Sequence, residues 1–548
     1  ERARRRGAAM KKVVLFLLLF GAGLTVLVWV VGKDAPKEDV APKEKPAPPT
    51  NFTEVPGAPT KPGEQRAAVG IVLDGRTDFT VFTSDDPEQG RPLYQVHSDD
   101  LKALGGDLYD AHELTIAVHD PETKKLRFEL SSPVTQLHIP IQQGKFTIGD
   151  GEKVDFSSVR MTMHEGAPIV PLSLSTPKLT WHLVQGRLVD RIDSQDRVQF
   201  DGNGFHAEGT GFDLRREASG AALTHDGEMV LTRDGLVRLR LERGGEATLR
   251  ATGSGPIRVK RVLVDPTKPD GPATLDLSTT DGSKFDVSGE EPRVLEARTL
   301  HLVGRGGSKD LADFRLERID ALEDVVATSR GDTFRARHAE FWFRENDRLE
   351  RGVLDGNVVL ESSGDVFHGD AATFAFDAGG RLSRTELNGS PRGTVVLGKY
   401  LAQRPNPGEI ERKLQDAQAE LDGVGPLVVT FGGDTTLDLA GASTLKVPAL
   451  GFELLSGERL TGAVRKDRRG GTLAARGGVH ARYTDAELVT DALDVRIELP
   501  APDKEAVIVV TNGTTTVTGT PAGKGQVTLV AAGGLEARTS QGRVSIPI

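Results

Sequence analysis

The chain has 548 residues, enough for several domains and a sizeable apolar interior, and its 63 glycines with only 5% aromatic side chains fit a turn-rich β protein with a lean core. A formal charge of −10 leaves no basic excess to neutralise phosphates, which argues against a nucleic-acid partner. With no cysteine in the chain, disulfides, thiolate metal sites, a cysteine nucleophile and a lipidated cysteine are excluded.

Val13–Val31 is an unbroken apolar run, with Gly21, Gly23 and Thr25 its only mild exceptions, and its length suits a helix across a ~30 Å hydrocarbon core. Arg2, Arg4, Arg5, Arg6, Lys11 and Lys12 precede it. The excess of positive charge on that side predicts a cytoplasmic basic segment over 1–12, a transmembrane anchor over 13–32 and the rest of the chain outside the cytoplasm. A cleaved signal peptide is the rival reading, but its apolar region is usually shorter and ends in a small-x-small site. Residues 33–66 are rich in Pro, Lys and Glu, bury nothing, and predict an extended, semi-rigid linker.

From about Ala67 the chain reads as short strands separated by turns. Phe79–Phe82, Leu93–Val96, Leu114–Val118, Leu126–Leu130 and Leu179–Leu183 alternate apolar with polar residues, and Asp85-Asp86-Pro87 and Asp120-Pro121-Glu122 mark turns between them. Asp-Gly steps at Asp201, Asp226, Asp234, Asp270, Asp281 and Asp355 are candidate tight turns between antiparallel strands. A turn rhythm of roughly 8–12 residues, with no amphipathic helix between successive strands, points to a sandwich or jellyroll and disfavours parallel βαβ folds.

The clearest internal repeat lies in 322–396. Gly331-Asp332-Thr333-Phe334 leads through Ala336 to Phe341-Trp342-Phe343, and Gly364-Asp365-Val366-Phe367 leads through Gly369 to Phe374-Ala375-Phe376, without a gap between the two copies. Phe205–Leu214 aligns with Phe367–Phe376 as a third copy, and Leu488–Ile497 is a weaker fourth. Each phenylalanine pair lies on one face of a strand, and Ala336 or Gly369 marks a corner.

Asp355-Gly356-Asn357-Val358-Val359-Leu360-Glu361, a polar turn, and then Phe367-His368-Gly369-Asp370-Ala371-Ala372 resembles the OstA-like repeat of the lipopolysaccharide-transport bridge proteins, the LptA/LptC family. The strands that follow the linker, with Gly90 and Tyr94 at a Gly-x-x-x-Tyr spacing, resemble the LptC branch. The resemblance implies a mainly β chain in which one N-terminal transmembrane helix precedes tandem open β-jellyroll units. Those units are expected as an LptC-like jellyroll over 67–220, a further β unit over 221–320, an OstA-like repeat unit over 321–400 and a C-terminal jellyroll over 426–548. Between the last two, Ile410, Leu414, Ala417 and Leu421 form one stripe and predict a helix over Glu409–Leu421 within an insert spanning 401–425.

Catalytic signatures are missing from the sequence. His301, His338 and His368 show no recognised ligand spacing, so no metal site and no cofactor are expected. Gly304-x-Gly306-Gly307 and Gly202-x-Gly204 open no helix and read as hairpin turns rather than phosphate loops. No nucleophile elbow or paired carboxylates stand out, and no enzymatic activity is expected.

What remains is shape. Phe341, Phe343, Val358, Leu360, Phe374 and Phe376 are the candidates for an inward face that lines either a lipid groove or a dry core, two outcomes that alternation alone leaves open. The family resemblance implies an inner-membrane-anchored periplasmic component of lipopolysaccharide export that passes the lipid, or a related amphiphile, along that groove. Its implied partners are the ATP-driven Lpt inner-membrane transporter and, by end-to-end strand pairing, other jellyroll proteins or the outer-membrane translocon. A membrane-tethered structural scaffold without lipid cargo is the alternative, and a polysaccharide-modifying enzyme on a β-solenoid a weaker third.

Overall fold

The computed structural model describes the chain from Gly75 to Ser545 apart from connecting stretches, the longest being 397–416; the predicted anchor and linker lie outside the described residues. Within that span the protein is mainly β, and the helical element described is a single 3-10 turn at Pro448–Leu450. Named strands pair antiparallel throughout, and the parallel contact Leu241–Phe314 is an isolated bridge.

The sheet has one organising feature. Long strands run antiparallel in chain order, and each bends once near its middle. Ala222–Arg240 pairs with Ile257–Leu263 through 228–231 and with Glu246–Ala251 through 236–240. Those two partners are halves of one path, bent at 252–256. The next two paths repeat the pattern, with Ala273–Thr279 and Ser283–Val287 bent at 280–282, and Arg293–Ala297 and Thr299–Gly306 bent at Arg298. Halves on one side of the bends form one wall and halves on the other side form a second. The corners therefore stack into a spine, and the apolar faces of the walls look toward each other across the interior.

Why the strands bend where they do is visible in the backbone. Asp234, Asp281, Glu323, Asp324 and Asn357 take positive φ, as do Gly282, Gly356, Gly389 and Gly477. A residue in that region breaks the pleat and the ladder. At Gly457 the backbones approach so closely that a Cβ would sit 2.0 Å from the Gly477 carbonyl oxygen, which only glycine tolerates.

Breaking the ladder strands peptide groups in the interior, where each needs a partner. Buried serines and threonines supply it along the spine. Ser98 Oγ donates to the His112 carbonyl at 2.9 Å, Ser283 Oγ to the Ala297 carbonyl at 3.0 Å, and Thr279 Oγ1 accepts from the Leu300 amide at 3.1 Å. Ser456 Oγ lies 2.7 Å from the Arg459 carbonyl and 2.8 Å from that of Arg476. A hydroxyl that rotates freely can serve whichever carbonyl the corner leaves exposed.

Several sequence expectations change. The Asp-Gly steps at Asp234, Asp281 and Asp355 are corners within strand paths rather than hairpin turns, Asp226-Gly227 lies inside Ala222–Arg240, and Asp201-Gly202 does lead into a hairpin; Asp270 falls outside the described residues. Positive φ can reverse a chain or merely bend it, and the partners on either side decide which. Gly304 and Gly306 belong to strand Thr299–Gly306, where Gly304 lies against Phe314 and Arg315. The expected helix over Glu409–Leu421 ends as strand Gln418–Gly423, with Ala417, Ala419 and Leu421 buried in alternation and ladders to Arg392–Val396 and Ser443–Val447 on either side; 409–416 lie outside the described residues. Two flanking ladders outweigh a weak helical stripe. Strands pair across 220, 320 and 400–425, so the sheet runs on through these positions.

Candidate functional site

The interior has two characters. Toward the N-terminal side it is filled. Phe128 and Phe156 pack on Trp181 at ring-centroid distances of 5.4 and 4.7 Å, Phe200 stands edge-on to Phe212 at 5.2 Å, and these rings are all buried. Farther along, most of the half-buried apolar side chains in contact with the core fall between Val287 and Val395. There the two walls enclose a hollow of about 300 Å³, at the lower end of the ~300–1,000 Å³ typical of ligand sites.

The hollow is built from strands Arg315–Ser329, Asp332–Phe343, Leu349–Ser362 and Asp365–Phe376 with their neighbours. One wall contributes Leu295, Phe334, Leu360, Phe367 and Val395, and the other Ile319, Phe341, Phe343, Phe374, Phe376 and Leu382. Phe334 and Phe374 meet across it, with ring centroids 5.5 Å apart.

Of the six sequence candidates, Phe341, Phe343, Leu360, Phe374 and Phe376 border the hollow. Val358 does not; it is 1% exposed, next to the Gly356-Asn357 corner, and belongs to the packed core. Phe334 and Phe367 were missed as lining residues although they hold equivalent places in the repeat. Inward positions are odd before the corner of Asp365–Phe376, at Asp365, Phe367 and Gly369, and even after it, at Ala372, Phe374 and Phe376. The bend shifts the phase, so strict alternation from Phe374 and Phe376 does not reach Phe367.

Polar groups in the hollow lie mainly at one rim. Asp332 and Asp365, the aspartates of the two Gly-Asp copies, are buried there, with Arg293 and Glu361 nearby. Asp365 Oδ1 accepts a hydrogen bond from the Val396 amide at 2.7 Å. Deeper in, the hydroxyl of Thr385 is buried without a hydrogen-bond partner among the described residues. A mainly apolar hollow with carboxylates at one rim and the Thr385 hydroxyl deeper in can hold hydrocarbon. No protein-family model matches this chain, and no curated protein matches it.

Proposed function

We propose that this protein binds the hydrocarbon tails of an amphiphile between the two walls, as a membrane-anchored, open-jellyroll component of lipopolysaccharide export. The observation that carries the reading is the run of half-buried phenylalanines and aliphatic side chains around the hollow, where the same repeat elsewhere packs shut. Exposed apolar surface of that extent costs free energy unless a ligand covers it. Tails lying along the slot would remove it from water, while a polar headgroup would stay at the rim. The OstA-like motif supports lipopolysaccharide or a related lipid as cargo and the Lpt transporter and bridge proteins as partners. The basic flank and apolar run at 1–32 support the inner membrane as its anchor.

The packed interior around Trp181 favours a second reading, a scaffold of the cell envelope without cargo. Photocrosslinking in cells separates the two. A photoreactive residue at Phe376 faces the hollow, and one at Ala375 faces the other way on the same strand. Lipid adducts at position 376 and not at 375 are expected. Adducts at neither position, or equal adducts at both, would leave the scaffold as the better account.

A further inference from the structure

On the outer face of the wall that carries Phe341, three side chains from two neighbouring strands converge. Asp320 and Glu340 are directly opposite in the ladder between Arg315–Ser329 and Asp332–Phe343, and His338 lies two residues before Glu340 on the same face. His338 Nε2 is 2.9 Å from Asp320 Oδ1 and 3.6 Å from Glu340 Oε1. One ligand atom from each of the three falls within 4.8 Å of the others, and all three residues are half-buried.

The geometry points to a divalent transition-metal site, of zinc type, formed by Asp320, His338 and Glu340. Zinc bound at about 2.0–2.2 Å to nitrogen and oxygen in a tetrahedron holds its ligand atoms about 3.4 Å apart, so the imidazole nitrogen and the two carboxylates need little movement to accept it. One imidazole with two carboxylates suits zinc better than calcium or magnesium, which take more oxygens. The fourth position is left for water.

The neighbouring groups set the competition. Arg318 Nη2 lies 3.3 Å from Glu340 Oε1 and 3.7 Å from Asp320 Oδ2, so a metal replaces that guanidinium as the counter-charge. His301 stands opposite Asp320 on the next strand, but its Nε2 is held by Asp276 Oδ1 at 2.7 Å. Other histidine–carboxylate contacts on the surface differ in kind. His206 meets the single carboxylate of Asp201, and His97 meets Asp78 and Asp99 through opposite ring nitrogens, which cannot chelate one ion. At His338 both carboxylates face the same nitrogen. A bound ion would cross-brace the two strands directly behind Ile319 and Phe341, on the far side of the hollow. The site is independent of what the hollow carries.

The test is equilibrium dialysis of the full-length, tag-free chain against zinc chloride, with bound metal counted by elemental analysis. His338→Gln and Glu340→Gln are tested as separate variants and His206→Gln as a control, with strand content checked by circular dichroism. The expected result is one zinc equivalent lost, or its affinity weakened tenfold or more, in whichever of the two site variants keeps its strand content, while His206→Gln binds as the unaltered chain does. Equal stoichiometry and affinity in the unaltered chain and the folded site variants would overturn the assignment, as would no zinc bound by the unaltered chain at micromolar concentrations.

Discussion

Asp365 and Val396 are joined side chain to backbone, the Val396 amide donating to Asp365 Oδ1 at 2.7 Å across the rim of the hollow. The Gly364-Asp365 pair therefore serves as a latch: the glycine ends the hairpin, and the buried aspartate holds the far end of the Arg392–Val396 strand. Removing the carboxylate in Asp365→Ala leaves that amide without its partner, and hydrogen bonds to charged groups are worth about 1.5–3 kcal/mol. Denaturant unfolding should show a loss of that size, with Asp365→Asn losing less because it keeps an acceptor.

Two phenylalanines of the repeat strands, one in the filled interior and one at the hollow, should respond differently to truncation. Phe212 is 1% exposed in the filled interior, so Phe212→Ala should cost about 3–5 kcal/mol. Phe376 is half-buried at the hollow, and Phe376→Ala should cost only about 1 kcal/mol, a fraction of the ~1.5–3 kcal/mol for complete burial. Lipid crosslinking at neighbouring lining positions should fall in Phe376→Ala. Similar stability losses in both variants would mean that the hollow is as closed as the core around Trp181.

The corner at Gly356 predicts a backbone effect, to which one close side-chain approach adds. Its φ is +78°, and a Cβ there would approach that of Arg337 to 2.8 Å. Gly356→Ala should destabilise by at least ~1–2 kcal/mol, the cost of holding a residue with a Cβ in the left-handed region. Thermal unfolding of this variant beside an alanine substitution at the hairpin glycine Gly379 would separate corner strain from a general loss of glycine.

Ser456 carries the spine prediction. Its hydroxyl is shared between the carbonyls of Arg459 and Arg476 at a buried corner. Ser456→Ala removes the donor and leaves buried carbonyls unpaired, at about 1–3 kcal/mol. Ser456→Thr keeps the hydroxyl and should recover part of that loss in chemical denaturation.

His97 ties the first described strand, Gly75–Phe82, to its neighbour, and the hydrogen bond with Asp78, reinforced by Asp99, raises its pKa above the ordinary 6.5. A histidine whose pKa is higher in the folded state contributes stability that is fully present below the unfolded value near 6.5 and is lost as pH rises through the folded value. Amide exchange in Gly75–Phe82 should therefore be slower, after correction for the intrinsic rate, at pH 6 than at pH 8. In His97→Gln that difference should vanish; if it persists, another group holds the edge strand.

Much of this protein is legible in its sequence because strand formation leaves a period of two, and corners require residues that tolerate positive φ. Leu114–Val118, Leu126–Leu130 and Leu179–Leu183 lie in strands where alternation puts them, and Gly369 marks a corner as the repeat implies. Phe341, Phe343, Phe374 and Phe376 could be assigned to one face for the same reason. What the local pattern could not decide was which partner each segment meets. Asp-Gly at 355 bends a strand where Asp-Gly at 201 leads into a hairpin, and Gln418–Gly423 pairs on both edges where its composition suits a helix turn equally well. The convergence of Asp320 with His338 and Glu340 depends on ladder register, a long-range property with no trace in spacing along the chain. Above all, Phe205 and Leu214 are buried while their repeat equivalents Phe367 and Phe376 are half-open, because burial is fixed by how the opposite wall packs across the interior and not by the strand that presents the side chain.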